Sequence, residues 1–560
     1  MSDGHLVRPD VRPTRERTIM LDGRCGNEEP SRRDWLRLTA LGVSALLLPE
    51  TSLAADGDAN PAWPQANGPT GNFNPRRFDV KLVDDLKSAR QLWVSESNDL
   101  GRAKGSASGY VDMLADPTTH AGSASGLIVA EGKVFASSFR PRGDVWAEKQ
   151  VRIANDIGKY SGDRLAALKR NTALDADDVT VAIDLKTGKT VWTAVEEGKG
   201  LNRAGGKRLH FHATPAYFNG RVYSLGTTGR VYCYDAATGK KSWEDDTGSL
   251  VKPATALKEK LLKERNELPG GEGMGMSLVT AGGVLVVPQY GTSAQDVALR
   301  GMNVETGKTL WEVPACTSRY ATPAVWTHKE KQYVLVATIK GELRLIDPKD
   351  GKVLWTVTGL EPVYYPLSPS ENHVIVNVKS ATDAAKQKGQ SWGRIAAYRL
   401  SPEKAERAWE VPDKAPFWFE NHMDICAMRR VAIRDGRVYY YTQGHTLDPA
   451  KSSTFFHVLD EKTGGVLLTS EELKGSPQFF LVEDRMLYSP DSAHFKTIKW
   501  EFYTLDPKDF RRIGNPWTVP HDNTTAYEVF IELPYVNGLF LMRTWQGRVV
   551  CYDLRAGAKK

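Results

Sequence analysis

Asp184-Leu-Lys-Thr-Gly-Lys-Thr-Val-Trp192 is one copy of a unit that returns along the whole chain. Asp235 to Trp243, Asn303 to Trp311 and Asp347 to Trp355 repeat it, and Asp460 to Leu468 does so with Leu in the Trp slot. In all five, a polar opener and a large apolar residue stand eight positions apart. Looser copies end at Trp409 and Trp517, and a truncated one, Asp553 to Gly557, closes the chain.

Each copy has a direct physical meaning. Alternating apolar residues run into an Asp whose side chain turns back on its own backbone. Thr-Gly then supplies the positive-φ position of a tight hairpin. The returning strand carries a Trp that buries its ring against a neighbouring sheet. One hairpin cannot bury its own face, so copies must stack. Four-stranded units repeating at roughly 40–50 residues predict a β-propeller.

The two chain ends complement each other. Leu82 to Trp93 reads as the outer strand of a blade whose earlier strands are missing, with Asp85 as opener. Segments 527–533, 538–544 and 548–552 read as three strands with no fourth. Joining them in one blade removes the open edges that invite aggregation. The all-β expectation is therefore an eight-bladed propeller with short helical insertions. Seven continuous blades fall at 124–194, 210–246, 274–313, 319–357, 364–411, 422–470 and 476–519, and the eighth joins 526–557 to 81–95. Trp93, Trp192, Trp243, Trp311, Trp355, Trp409 and Trp517 are the expected docking residues.

Three stretches interrupt the pattern. Residues 146–178 are charged and lack strand alternation, with Arg164 to Arg170 expected as helix. Residues 254–268 have helical spacing with mixed charge, and 380–389 form a polar loop.

Composition excludes some function classes. Net charge is +6 from 74 basic and 68 acidic residues, without a dense Lys/Arg block, so nucleic acid is not an expected partner. No apolar run is long enough to span a bilayer. Ser31-Arg-Arg-Asp-Trp-Leu36, the apolar stretch 38–48 and Ser52-Leu-Ala54 read instead as a twin-arginine (Tat) secretory signal. Translation starts at Met1 or Met20. The expected organisation is signal 1–54, a Pro/Gly-rich arm at 55–80 lying across the propeller or linking to it, and propeller 81–557, in a periplasmic or secreted protein.

Cys25 precedes the signal core, and Cys233 and Cys551 share a Cys-Tyr-Asp register that predicts buried strand positions. Cys316 and Cys426 fall near blade junctions, where an oxidising compartment permits pairing.

The element Ala182-x-Asp184-x-x-Thr187-Gly188-Lys189-x-x-Trp192 resembles the tryptophan-docking repeat of the pyrroloquinoline-quinone (PQQ) propeller superfamily over roughly 81–557. Trp63-Pro-Gln resembles the N-terminal segment of its secreted members. That resemblance implies either a quinoprotein alcohol dehydrogenase or a non-catalytic assembly propeller of the BamB type. The dehydrogenases characteristically carry two adjacent cysteines over the cofactor, and this sequence has no such pair. No Glu/Asn/Asp calcium set aligns either, so neither role is carried to any residue.

In a propeller, residues just before each inner strand converge around the axis. Those positions hold His120, His210 and His212, Arg319 and Tyr320, Tyr364 and Tyr365, Glu420, His422 and Asp424, Gln478, and His521 with Asp522 and Asn523. Imidazoles with nearby carboxylates bind metals or polar ligands. Junction histidines also commonly bond loop carbonyls, so lining is the plainer role. Two readings follow. The first is a binding or scaffold propeller for a protein or small polar ligand. The second is a PQQ-dependent alcohol or sugar oxidoreductase with PQQ and Ca²⁺ in the central funnel.

Overall fold

The computed structural model describes residues 62–557 except 103–109, 124, 150, 203–211, 247–274, 291–296, 318–320, 364, 380–391, 413–416, 418, 421–430, 444–452, 472, 475–477, 490–498, 520–532 and 545. Strands dominate, gathered into eight separate antiparallel sheets arranged as an eight-bladed β-propeller. Blade 2 shows the plan. Its inner strand is Ala216–Phe218, followed by Arg221–Leu225, Val231–Asp235 and outer strand Lys241–Asp245.

Two kinds of turn recur through the blades. In blades 1, 2, 3, 4, 6 and 8 the two inner strands meet at two-residue loops with both residues at positive φ, as at Asn219-Gly220 (47° and 75°) and Asp435-Gly436 (51° and 71°). This is the turn whose twist matches paired strands. The two outer strands meet at the repeated unit. Asp184 Oδ1 accepts from the Thr187 N–H and hydroxyl, both at 2.7 Å, and Gly188 takes φ 74°. The Asp184 and Lys189 backbones pair across the ends of this loop, and a bulge follows between Ala182 and Ile183. The loop thus spans four residues and is wider than the tight hairpin expected.

That width aims the docking Trp at the next blade. Trp192 Nε1 donates to the Ala236 carbonyl at 3.1 Å, Trp243 to Val304 at 3.2 Å, Trp311 to Pro348 at 2.7 Å, and Trp409 to Glu461 at 2.8 Å. Trp355 does the same to Ser401 at 2.9 Å, and Trp517 packs edge-on against Tyr552 at 4.8 Å. Each acceptor carbonyl belongs to the outer turn of the following blade. The core accordingly lies between blades. One cluster combines Tyr223 and Cys233 of blade 2 with Leu285 and Leu299 of blade 3 and Val334 and Ile346 of blade 4.

The ring closes through the chain ends. Outer strand Arg90–Val94 pairs with Val549–Asp553, which continues through Leu539–Arg543 to Tyr535–Val536. The innermost strand of this blade therefore sits at 535–536. The strand expected at 527–533 lies mostly outside the described residues.

The insertion expected in blade 1 is present: strand Lys133–Trp146 ends where the stretch 146–178 begins, and strand Ala173–Asp184 takes in only its last six residues. Helix Gly162–Asn171 sits between them, buried through Ala167 and Leu168. In blade 5, residues 365–370 form no regular strand, because Pro366 and Pro369 remove ladder donors. The stretches 254–268 and 380–389 lie outside the described residues.

Residues 62–83 form an ordered arm that meets the blades in succession. Trp63 pairs both ways with Val129 of blade 1, and the Tyr217 N–H of blade 2 donates to Pro64 O at 2.7 Å. Gln65 Oε1 accepts from the Thr280 N–H of blade 3 at 2.7 Å. Asn67, Asn72 and Asn74 each donate a side-chain N–H to a backbone carbonyl, at Pro323, Pro369 and Ile433 of blades 4, 5 and 6. The Phe78 and Asp79 N–H groups donate to Glu483 of blade 7, and Val83 N–H donates to Leu554 O of blade 8 at 2.8 Å.

Candidate functional site

The candidate site is the mouth of the channel where each outer strand hands over to the next inner strand. Side chains at the starts of inner strands meet there because every blade enters from the same side. In blades 1 to 4 the described groups are hydroxyls. Gly126 N–H donates to Thr214 Oγ1, Thr214 N–H to Ser277 Oγ, and Ser277 N–H to Thr322 Oγ1, each at 3.0 Å. Each blade thus bonds the next through one short hydroxyl side chain. Ser137 adds a bond to the Ala213 carbonyl at 3.0 Å. The Ala-Thr-Pro-Ala repeats at 213–216 and 321–324 are the sequence signal that marks this relay.

Between blades 8 and 1 a guanidinium takes over. Arg543 is fully buried and donates to the Ser125 carbonyl at 3.1 Å and the Leu100 carbonyl at 2.9 Å. Between blades 1 and 2, buried Asp178 accepts from the Thr227 N–H at 2.9 Å, the Thr227 hydroxyl at 2.8 Å and the Tyr232 hydroxyl at 2.9 Å. Burial, together with the Asp178 charge, raises the Tyr232 pKa well above its ordinary value, so it stays a donor. These groups hold blades together, and their donors and acceptors are directed at backbone or at one another.

The expected histidine ring is only partly within view. His210, Arg319, Tyr320, Tyr364, His422, Asp424, His521, Asp522 and Asn523 lie outside the described residues, and so does the Glu420 side chain, whose backbone pairs with Trp392. His120 lies in the connection from blade 8 to blade 1. Its ring Nδ1 bonds the Ala121 carbonyl at 2.8 Å, and burial holds its pKa below the ordinary value. His212 is buried at the separate junction between blades 1 and 2. Gln478 is buried at the start of its inner strand, and Tyr365 is buried beside blade 5.

Two histidines that the sequence reading did not single out have clear partners. His457 bonds Thr442 and Thr469 at 3.1 Å each and stacks on Tyr440 at 4.7 Å. His373 Nδ1 bonds Glu461 at 3.1 Å. Both are strand residues that join neighbouring segments.

A quinone with a metal ion needs a set of hard donors on the channel wall. Among the described residues, no group of three or more His, Cys, Asp or Glu is placed to hold a metal ion. The described residues do not supply such a site. Cys233 and Cys551 are buried free thiols within their blades. The Cys316 and Cys426 side chains lie outside the description.

The family described as outer membrane protein assembly factor BamB matches residues 175–362 and 295–467. No curated protein matches the chain. Among solved structures, a quinohemoprotein alcohol dehydrogenase from Comamonas testosteroni is 11% identical, with a TM-score of 0.50, over 89% of this chain and 81% of its own. BamB from Moraxella catarrhalis is 10% identical, with a TM-score of 0.43, over 69% of this chain and 94% of its own. These similarities concern the fold.

Proposed function

Since the chain belongs to the PQQ-like β-propeller superfamily, we propose that it is an exported propeller that acts as a binding scaffold for another protein. One observation carries this reading. Of the seven large apolar side chains exposed among the described residues, Val94, Val191, Val195, Leu310, Val466 and Leu467 stand on outermost strands, and the seventh, Val145, stands on the long second strand of blade 1. Blade 1 holds three of the seven, Val145, Val191 and Val195, and its outer strand, Thr190–Leu201, has 12 residues against five in blades 2 and 4. Exposed apolar groups beside an unpaired strand edge favour a partner there.

Export rests on the twin arginines at 32 and 33 ahead of an apolar stretch. No helix among the described residues is long and apolar enough to cross a membrane. The family's name, an outer-membrane assembly factor, agrees with a protein-binding role outside the cytoplasm.

The test uses a photo-crosslinking residue at Val195 in the producing cell. A discrete protein adduct that disappears with Val191→Glu supports the scaffold. Titrating the purified protein with PQQ and Ca²⁺ is the counter-test. A saturable quinone spectrum with dye-linked alcohol oxidation would overturn the scaffold in favour of an oxidoreductase. Replacing Arg32 and Arg33 by Lys should leave unprocessed precursor in the cytoplasm; normal export of that variant would remove the signal assignment.

A further inference from the structure

The inner strand of a propeller blade has a neighbour on one side only. Its other edge faces the channel, and the backbone groups along it need a partner or water. The arm supplies that partner in blades 1 to 6 near one mouth of the channel, then reaches the Glu483 side chain of blade 7 and the Leu554 carbonyl after the third strand of blade 8, so all eight blades are met in chain order. About 20 residues cover the circuit, and at ~3.3 Å per residue they follow a ring of roughly 10 Å radius at most. An arm of that length lines the wall and turns with it. Its carboxamides are spaced to match, since Gln65, Asn67, Asn72 and Asn74 serve four successive blades.

Glu483 is the clasp. It is 3% exposed and sits in the inner turn of blade 7. Its carboxylate accepts from Asp79 N–H at 3.0 Å, from Phe78 N–H at 3.1 Å and from the Tyr535 hydroxyl of blade 8 at 2.8 Å. The arm also bends sharply. Phe73 takes φ 64° while buried, a conformation that an aromatic residue keeps only when its surroundings impose it.

We propose that residues 62–83 act as one cooperative strap that lines this mouth of the channel and ties the eight blades together there. The strap's contacts stand or fall together, because each fixes the direction of the chain for the next. This inference is independent of the partner proposed above.

Hydrogen exchange on the full-length protein tests it. The N–H groups of Tyr217, Thr280 and Val325 donate to the arm from blades 2, 3 and 4, far around the ring from Glu483. In Glu483→Ala all three should exchange at least tenfold faster, while amides within the outer strands keep their protection. Trypsin should also cut after the exposed Arg76 and Arg77 at least tenfold faster. Loosening confined to Phe78 and Asp79 would overturn the cooperative strap. If Glu483→Ala fails to fold, the wild-type protein decides. Exchange at Tyr217 and Val325 as fast as in an open peptide would overturn the strap, and slow exchange abolished at both by Asn74→Ala would support it.

Discussion

Trp93, on the strand that closes the ring, lies flat against Gly188 of the neighbouring blade and donates its indole N–H to the Leu185 carbonyl at 2.9 Å. A Cβ placed on Gly188 would stand 2.8 Å from the ring. The same contact joins Trp192 to Gly239, Trp243 to Gly307, Trp311 to Gly351 and Trp409 to Gly464. Glycine is needed here twice, for its positive φ and for the absence of a side chain under the indole.

Those two needs can be separated. Gly239 and Gly220 have φ 71° and 75°, but a Cβ on Gly239 would meet Trp192 at 2.6 Å, while on Gly220 it would meet nothing within 4 Å. Gly220→Ala should cost about 1 kcal/mol from backbone strain alone. Gly239→Ala should cost about 3 kcal/mol, because the indole must also move. Equilibrium unfolding of the two variants checks the gap, and equal costs would refute the stacking argument.

A stabilising change follows from the inner turn of blade 4. Lys329 and Glu330 hold φ 45° and 68° where blades 1, 2, 3, 6 and 8 place Gly second, as at Asn219-Gly220. Replacing the pair by Asn-Gly should raise stability by about 1 kcal/mol, read as a higher unfolding midpoint.

Acid should loosen the contact between blades 1 and 2. Burial alone would raise the Glu244 pKa, but bonds from Lys199 and Lys241 outweigh it and bring the value to about 2, against an ordinary 4.5. A depressed carboxylate stabilises the fold above its unfolded pKa and loses that contribution as pH falls through the folded value. The window is therefore pH 4.5 down to about 2. Glu244→Gln should remove about 2 kcal/mol of pH dependence across it, after allowance for screening of a partly exposed group. Unfolding midpoints measured across that range decide.

The buried thiols should be inert. Burial pushes Cys551 up to about 12 and Cys233 up to about 11. At pH 8 almost no thiolate is present, so iodoacetamide should label both at least 100-fold more slowly in the native protein than in denaturant. Peptide mass spectrometry reads the two sites separately.

The outer hairpins were legible in the sequence because their chemistry is local. Asp184, Thr187 and Gly188 act within five residues, and the partner Trp lies at a fixed spacing. Ring closure was legible because the chain ends are complementary fragments. The arm's contacts were not, since Gln65 meets Thr280 across 215 positions and Asn74 meets Ile433 across 359. Nothing near an Asn in a Pro/Gly-rich stretch announces such a distant acceptor. The long strands of blade 1 were hidden for another reason. Arg140, Arg142 and Asp144 stand on strand that extends beyond the neighbouring blades, where charged side chains face water or pair with Asp99 and Asp177. At the channel mouth the histidines drew attention, whereas the bonds among the described residues of blades 1 to 4 run through Thr214, Ser277 and Thr322.

The closing strand also sets a timetable. Arg90 bonds Asp553 across 463 positions, so the first strand made by the ribosome must wait for nearly the last. At ~5–20 residues per second, that wait is on the order of half a minute to a minute and a half. By its end, the nascent chain carries an unpaired strand at 90–94 and seven blades with no ring. A cell producing this protein must shelter a long, sticky intermediate until translation ends, and the supply of such shelter then limits its yield more than the stability of the finished ring.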